Sequence, residues 1–426
     1  MPEFAILQNS CEKITTLLEK NFPVMKPSSR HTLLVPELFE NFRRRARDGV
    51  LADHAGMRQL LTLAEAALSA GPFSVTDKRH VPPSGDKRDY FSLSIYFWPN
   101  PDTPDGLPYA PRDGQPNPEI EDYDRPRFED FCRNVDILTL AYAATGDERF
   151  AAKASALLRV WFADVKTRMN PNMLFAQFIP GDSVVLPWKE YPARFVPGTD
   201  GRKGVHVSFG GTIEDLNLIP LTDSIALLAA SPHWSENDQS AVAKWYAEYA
   251  EWLLTHQHGR DEAACRNNHG SWYWAGIVCL LNFSGQKDRA KKFAAKALPK
   301  RLKLQIEPDG SQPEELVRAV SMSYTSFSLC SFANFAISAK KCGFDAWHFE
   351  TDDGRSIQRA MDWLAPYLTG EQEWKWKQIN PFDPEILVGQ LAALAVAYSD
   401  PAYLERIGRL RGLREDSIMR LIYAAE

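Results

Sequence analysis

Amides, an imidazole and aromatic rings lie side by side at residues 266–274, which read RNNHGSWYW. Asn268 can donate and accept hydrogen bonds, and His269 can exchange a proton near neutral pH. Trp272 and Tyr273 carry flat rings on which a pyranose can stack. Together these residue types predict a binding and catalytic site for a sugar acid.

Each residue of this segment also has a purely structural interpretation. Asn267 is a candidate sugar contact, but asparagine is also a common helix cap. His269 could be a hydrogen-bonded core histidine, and Trp272 and Tyr273 could fill the core of a helix. The segment alone leaves both interpretations open.

A second segment supplies the chemistry that the first one lacks. Residues 309–318 read DGSQPEELVR, and Tyr324 follows six positions after Arg318. Arg318 carries a permanent positive charge suited to a carboxylate, and the Tyr324 phenol can move a proton. On one regular helix, six residues correspond to a rotation of about 600°, so the two side chains would point about 120° apart. Both can still border one cavity.

The chain combines these two segments with several further motifs. It carries YFSL at 90–93, YFWP at 96–99, GLPY at 106–109, RDG at 112–114 and YAATGDERF at 142–150. With the Asn-Asn-His motif and the downstream Arg and Tyr, this series resembles the alginate lyase superfamily of polysaccharide lyases. The spacing from Arg318 to Tyr324 and the DGSQP sequence before it look most similar to polysaccharide lyase family thirty-eight, and family five is a more distant relative.

The resemblance implies a fold and an activity. The expected fold is all-α, an incomplete (α/α) toroid or barrel with long cleft-forming loops. The expected enzyme is a polysaccharide lyase that cleaves 1,4-linked uronic acid polymers, such as mannuronate-type alginate or glucuronan, and leaves 4,5-unsaturated uronate ends. The positions that match the family motif are Asn268, His269, Arg318 and Tyr324, which become the candidate catalytic residues.

The chemistry of a uronate lyase suits these four residues. Removing the C5 proton places negative charge on the adjacent carboxylate, which must be neutralised before a modest base can act. Asn268, His269 and Arg318 suit that neutralisation, and Tyr324 suits protonation of the departing O4. Mannuronate and glucuronate demand syn elimination, for which we hypothesise that Tyr324 is both base and acid. Guluronate and iduronate would instead use His269 as the base, and the sequence does not choose between the two.

Helical periodicity dominates the chain, and strand signals are sparse. No strict sequence repeat is present, so the toroid expectation rests on the resemblance, whereas the all-α expectation also follows from the periodicity. The predicted helices cover residues 60–70, 128–144, 150–162, 214–230, 236–254, 272–282, 288–304, 314–341, 357–368, 384–397 and 417–424.

A long irregular segment at about 71–125 interrupts the predicted helices. It is rich in proline and contains Tyr96, Trp98 and Arg112, which are candidate substrate contacts. A disordered linker is the alternative, but disordered segments are usually poor in aromatic residues. The composition therefore predicts an ordered lid or cleft wall.

A second irregular segment covers about 167–212. By resemblance it lines the cleft, which makes Gln177 a candidate sugar contact, although a plain connection between helices is the alternative. Both segments are expected to belong to a single toroid domain spanning residues 1–426.

Composition excludes some partners and leaves others open. The 426 residues carry a formal net charge of −6, which argues against broad attraction to nucleic acid, although a local basic cleft could still hold an anionic uronic acid polysaccharide or oligosaccharide. No apolar run approaches the roughly 20 residues that a membrane span needs. We expect neither a metal nor an organic cofactor, and the sequence does not indicate an oligomeric state.

The cysteines and the N-terminus bear on the compartment. The six cysteines are scattered without a Cys-x-x-Cys pair, which favours free thiols. No signal peptide is visible at the N-terminus. Because polymer-degrading lyases usually act outside the cytoplasm, we expect a periplasmic or secreted enzyme ahead of a cytoplasmic one.

Two other functions compete with a lyase. A glycoside hydrolase on a similar toroid would use paired carboxylates. The candidates for such a pair are Asp215, Asp309, Glu314 and Glu315. A non-catalytic uronate-binding protein would keep the cleft without turnover.

Overall fold

The computed structural model of the chain describes residues 35–183, 193–196 and 205–423, and the side chains of 35–183 and 210–423. Helices predominate, as the periodicity predicted. They are Pro36–Arg47 (α1), Ala55–Ala67 (α2), Asp124–Thr145 (α3), Glu148–Leu158 (α4), Leu218–Leu227 (α5), Glu236–Thr255 (α6), Gln257–Ala264 (α7), Asn268–Phe283 (α8), Lys287–Gln305 (α9), Pro313–Leu316 (α10), Ser321–Lys341 (α11), Ile357–Thr369 (α12), Val388–Tyr398 (α13), Ala402–Gly408 (α14) and Ile418–Tyr423 (α15).

In the residues that the structure describes, six short strands form two small sheets beside the helices. The strands are Phe91–Leu93 (β1), Phe97–Trp98 (β2), Ala110–Pro111 (β3), Phe175–Pro180 (β4), Ala193–Val196 (β5) and Val205–Ser208 (β6). One sheet has the order β1-β4-β6-β5, in which β1 runs parallel to β4 and the other pairs are antiparallel, and β2 pairs with β3 in the second. Since β1 lies in the first irregular segment and β4 in the second, the larger sheet joins the two predicted cleft walls.

Helix α8 lies inside the helical body. It packs against α6, α7, α9 and α11, and its apolar residues surround its whole circumference, as expected for a buried helix. The ring of Trp272 on α8 lies 5.0 Å from that of Phe327 on α11. This contact holds the first turns of α8 and α11 side by side. His269 lies in the first of these turns, and Tyr324 lies in the second.

The predicted continuous helix over 314–341 is wrong, because the structure divides it into α10 and α11. Val320 forms a β-bridge with Gln378, and the Gln378 side-chain oxygen accepts hydrogen bonds from the backbone N–H groups of Met322 and Ser323. Arg318 therefore lies outside a helix, and the 120° divergence from Tyr324 does not apply. Three helices, α1, α7 and α14, were not predicted.

Two expectations from composition concern cysteines and membranes. Cys132, Cys265, Cys330 and Cys342 carry free thiols, and Cys11 lies outside the described residues. Every helix within the described ranges is too short or too polar to cross a bilayer.

Candidate active site

The turn that leads into α8 is held by a buried arginine. Arg301 on α9 donates hydrogen bonds to the carbonyl oxygens of Ala263 (2.7 Å) and Cys265, which close the C-terminal end of α7. A Cβ on Gly270 would lie 2.2 Å from Arg301 Nη1 and 2.3 Å from the Cys265 oxygen. Only glycine leaves this approach open, so Gly270 and Arg301 together fix the direction in which His269 leaves the turn.

Asn268 is fully buried and is held by Glu315 from α10. Its backbone N–H donates to Glu315 Oε1 at 2.6 Å, and its Nδ2 donates to Oε2 at 2.8 Å. Burial raises the pKa of Glu315 to about 7, against the opposing effect of the two bonds from Asn268 and of the charges on Arg318 and His269. Glu315 therefore lies among three of the four predicted catalytic residues.

A second buried carboxylate orients His269. Its Nδ1 lies 2.9 Å from Oε1 of Glu262, whose side chain is 1% exposed, whereas the imidazole is 22% exposed. An ionised Glu262 accepts the Nδ1 proton, which places the lone pair of the neutral imidazole on Nε2. Nε2 is thus the atom that can meet a ligand.

Arg318 is engaged by a carboxylate from the first irregular segment. Its Nη2 and Nε donate to the two oxygens of Asp113 at 2.6 and 3.2 Å, and the N–H of Ala319 also donates to Asp113 at 3.1 Å. Burial raises the pKa of Asp113, but the bonds and charge of Arg318 outweigh it and leave that pKa below its ordinary value. The bidentate geometry fixes the plane of the guanidinium.

The Arg318 guanidinium lies over the ring of Tyr324. The distance from Cζ to the ring centroid is 3.7 Å, and the Tyr324 hydroxyl donates to the hydroxyl of Tyr96 at 3.2 Å. Burial raises the pKa of Tyr324, the Arg318 charge opposes that effect, and the bond to Tyr96 adds to it. The net pKa lies above its usual value, so Tyr324 holds its proton without a ligand.

Tyr96 is placed by the same irregular segment that carries Asp113. The backbone N–H of Arg112 donates to the Tyr96 carbonyl at 2.7 Å. The Arg112 guanidinium carbon lies 5.0 Å from the centroid of Trp98, and Trp98 Nε1 donates to the Gln115 carbonyl at 2.8 Å. Tyr96, Trp98 and Arg112 are thus grouped, and Tyr96 touches the catalytic candidates directly.

Gln177 sits on β4 in an unusual backbone conformation. Its φ is +47°, a region that a glutamine rarely adopts. Its N–H donates to Ser92 Oγ at 2.8 Å, and Ser92 in turn donates to the buried Glu214 at 2.8 Å. Tyr90 donates to the same Glu214 oxygen at 2.6 Å. A buried network therefore holds Gln177 in a strained geometry of the kind that clusters at functional sites.

Trp272 and Tyr273 lie behind the site, whereas Asn267 is half-buried at its edge. Trp272 and Tyr273 are 4% and 6% exposed, and the Tyr273 hydroxyl donates to the Leu253 carbonyl at 3.2 Å. Both rings pack against the core, and their role as sugar contacts stays a prediction. Asn267 occupies the position before α8, but its side chain makes no capping hydrogen bond.

The residues that orient the site were largely missed from the sequence. Glu262 and Asp113 were not singled out, and Glu315 was considered only as a hydrolase carboxylate. Glu262 precedes His269 by seven residues but lies on a different helix, so no helical spacing links the two. The signal for Asp113 was its place beside Arg112 in a motif that carried the resemblance.

Metal binding has no support in the part of the chain that the structure describes. Within it, no group of three His, Cys, Asp or Glu side chains is placed to hold a metal ion. His256 Nδ1 instead accepts the N–H of His258 at 3.2 Å, which caps α7.

Comparison with known proteins identifies a family and a fold. The family model described as alginate lyase matches residues 74–374, well over half of the chain. No curated protein matches the sequence.

Solved structures match across nearly the whole chain. A crystal structure of an alginate lyase from Bacteroides ovatus is 32% identical, with a TM-score of 0.82 over 93% of this chain and 99% of that one. Alginate lyase A1-III from Sphingomonas species A1 is 14% identical, with a TM-score of 0.50 over 87% and 96%. A variant of A1-III complexed with a tetrasaccharide is also 14% identical, with a TM-score of 0.51 over 87% and 96%. These matches confirm the predicted α/α toroid.

Proposed function

The chain belongs to the alginate lyase family, and we propose that this polysaccharide lyase cleaves 1,4-linked uronic acid polymers by β-elimination, with mannuronate-type alginate or glucuronan as substrate. The similar enzyme from Bacteroides ovatus is named an alginate lyase, and an A1-III variant binds a tetrasaccharide, which supports an anionic polysaccharide as the ligand. We also propose placement in polysaccharide lyase family thirty-eight, on the spacing from Arg318 to Tyr324.

One observation carries the proposal. Glu315 is bonded to Asn268 and lies within electrostatic reach of Arg318 and His269, while Arg318 stacks on Tyr324. The groups that neutralise a carboxylate and the group that protonates a leaving oxygen therefore meet at one place. This is the combination that elimination beside a carboxylate needs.

The reaction can be written with these groups. A base takes the C5 proton, and the electrons of that C–H bond spread onto the C6 carboxylate. The side chains of Arg318 and Asn268 stabilise the negative charge that develops there. The C4–O4 bond then breaks, a C4–C5 double bond forms, and Tyr324 gives its proton to O4. Where another group is the base, the raised pKa of Tyr324 keeps its phenol protonated for this step.

The base depends on the sugar. For mannuronate or glucuronate, Tyr324 acts as a phenolate that has released its proton to solvent, and the guanidinium stacked at 3.7 Å favours this form against the cost of burial. The phenolate takes the C5 proton and then gives that same proton to O4. For guluronate or iduronate, Nε2 of His269 is the base, and Glu262 stabilises the imidazolium that forms. The first route needs the phenolate of Tyr324, so its rate rises with pH. The second route needs the neutral imidazole of His269 together with the protonated phenol of Tyr324.

The cleft wall provides the remaining sugar contacts. The Arg112 guanidinium lies over the ring of Trp98. This pair therefore offers a sugar an aromatic surface and a positive charge at one place. Tyr96 and Gln177 complete the proposed binding surface, and Asn267 adjoins it. A uronate chain offers both hexose faces and carboxylates to such a surface.

Two of the four candidate carboxylates of the hydrolase alternative are bound by neighbouring groups of the protein. Glu315 is bound by Asn268, and the buried Asp215 accepts a hydrogen bond from Tyr249 at 2.9 Å. Burial raises the pKa of Asp215 well above its usual value, with Glu262 adding to the effect. These contacts give both carboxylates structural roles, which favours elimination over hydrolysis.

The proposal is tested by following ultraviolet absorbance of the unsaturated uronate with polymannuronate, polyguluronate, glucuronan and an iduronate-containing glycosaminoglycan. A rise with mannuronate or glucuronan supports the proposed substrate and the Tyr324 route. A rise only with guluronate or iduronate keeps the lyase, overturns the substrate preference and assigns the base to His269. Reducing sugar without new absorbance would mean hydrolysis and would overturn the proposal.

A further inference from the structure

A second cavity lies next to the first turn of α11, outside the groups that carry the chemistry. Its volume is about 460 Å³, within the range of cavities that hold small ligands. Its lining includes Met322, Tyr367, Glu373, Trp374, Phe382 and Arg411. None of these residues belongs to the proposed active site.

Aromatic rings form one side of this cavity. Trp374 and Tyr367 are half-buried, with ring centroids 5.2 Å apart and planes at 89°. Trp376 packs 4.8 Å from Trp374 on the same group of rings. Partly exposed rings that are held by other rings can stack a sugar with little loss of side-chain freedom.

Arg411 adds a positive charge to the cavity lining, and it differs from the neighbouring arginines in its ion pairing. The three other arginines of residues 406–414 are ion-paired: Arg406 with Asp362, Arg409 with Glu371 and Arg414 with Asp416. Arg411 makes no ion pair with any described residue, and its Nη2 donates to the Gly370 carbonyl at 3.2 Å. Of the two carboxylates that line the cavity, Glu371 is paired with Arg409, and Glu373 makes no ion pair with Arg411.

Gly370 makes this placement of the guanidinium possible. Its φ is +76°, and a Cβ there would lie 1.8 Å from Cζ of Arg411. The Arg411 backbone N–H also donates to the Leu368 carbonyl at 3.2 Å. Both the backbone and the guanidinium of Arg411 are thus held against the C-terminal end of α12. The guanidinium is therefore preorganised to bind a carboxylate.

The cavity is connected to the catalytic helix. Trp374 Nε1 donates to Ser321 Oγ at 3.0 Å, and Met322 lines the cavity two residues before Tyr324. Gln378 binds the N–H groups of Met322 and Ser323. The cavity and Tyr324 therefore border the same first turn of α11, on different sides of the helix.

We propose that this cavity is an accessory subsite that binds a uronate residue of the polymer without taking part in the elimination. The inference rests on the proposed function. A sugar ring stacks on Tyr367 and meets Trp374 at its edge, its carboxylate binds Arg411, and Glu373 accepts hydrogen bonds from its hydroxyls. The subsite adds affinity for long chains, because a second contact on one polymer raises the effective concentration of the first.

The test compares Arg411→Ala with Arg414→Ala, a matched control that removes an ion-paired arginine of the same segment. Initial rates are measured on the uronate polymer that the wild-type enzyme cleaves and on the shortest oligomer it still cleaves. Arg411→Ala is expected to raise KM for the polymer about tenfold, the effect of one lost charged hydrogen bond, with kcat and short-oligomer rates unchanged. Tyr367→Leu, which removes a stacking ring, is expected to act in the same direction.

Three results would overturn the inference. Equal polymer KM values for Arg411→Ala and Arg414→Ala would show that the cavity binds no uronate. An equal loss on polymer and short oligomer would show a structural effect on the active site. A wild-type enzyme that cleaves none of the uronate polymers would instead remove the proposed function, which distinguishes the two failures.

Discussion

The two halves of the candidate active site are held in different ways. In the first half, Glu315 binds Asn268 and Glu262 binds His269. Both carboxylates are almost fully buried, and they lie on helices at sequence distances of 47 and seven residues, respectively. In the second half, Arg318 and Tyr324 are bound by side chains of an irregular segment more than 200 residues away. Asp113 and Arg318 are each 22% exposed.

The difference separates a fixed half from an adjustable one. Buried, charge-assisted hydrogen bonds are strong and costly to break, so the amide and imidazole are set when the helices pack. The partners of the arginine and the phenol, Asp113 and Tyr96, come from the irregular segment and not from a packed helix. Variants of the first half should therefore affect stability and activity together, and variants of the second half should affect activity alone.

Tyr324→Phe is expected to have the largest effect. It removes the proton that O4 needs, and loss of a general acid costs about 10² to 10⁴ in kcat. KM should change little, because the ring and the Arg318 stacking remain. Steady-state absorbance kinetics measure both values.

Tyr96→Phe is the matched control for this experiment, since it deletes the other phenol of the same hydrogen bond. Its expected loss is about two- to tenfold, the range for one neutral hydrogen bond. Near-normal turnover by Tyr324→Phe would remove Tyr324 from the mechanism.

Glu262→Gln tests the fixed half and should lower kcat/KM by about 10- to 100-fold. The substitution removes the negative charge of Glu262, which lies 2.9 Å from His269 Nδ1, and keeps the shape of the side chain. The expected loss corresponds to one charge-assisted hydrogen bond. Comparison with Glu248→Gln, an exposed position on α6, controls for a simple change of charge. If activity fell for Glu262→Gln only in proportion to loss of folded protein, Glu262 would have a purely structural role.

The sequence predicted most helices and the catalytic candidates, because apolar periodicity and residue type are local properties. Helix α3, for example, was predicted at 128–144 and observed at Asp124–Thr145. The break before α11 could not be predicted, since it depends on pairing with Gln378, more than 50 residues away. The partners Glu262 and Asp113 have the same explanation, because only tertiary packing brings each to its catalytic neighbour.

Glu315→Gln sharpens the comparison through the pH dependence of stability. The folded pKa of Glu315 is about 7, above its ordinary 4.5, so the folded chain binds this proton more tightly than the unfolded chain. The resulting stability is complete below pH 4.5 and is lost as pH rises towards 7. Between pH 5 and 8 the wild-type protein should lose roughly 1–3 kcal/mol more than Glu315→Gln, measured by urea unfolding.

Glu314→Gln, at the exposed neighbouring position, is the control for that measurement and should follow the wild-type protein. Other buried carboxyls with raised pKa values, such as Asp124, contribute equally to all three proteins and cancel. Parallel stability curves for Glu315→Gln and the wild-type protein would show that Glu315 does not carry this proton.

Asp113→Asn is expected to have the smallest effect and tests the adjustable half. It removes the charge that fixes the Arg318 guanidinium over the Tyr324 ring, and partial exposure limits the loss to about three- to tenfold in kcat/KM. The melting temperature should stay close to that of Asp102→Asn, an exposed control in the same segment, because no helix depends on Asp113. A large drop in melting temperature would place Asp113 in the fixed half. A gain in activity would show that Asp113 competes with the substrate carboxylate for Arg318, so that the irregular segment restrains the site rather than completing it.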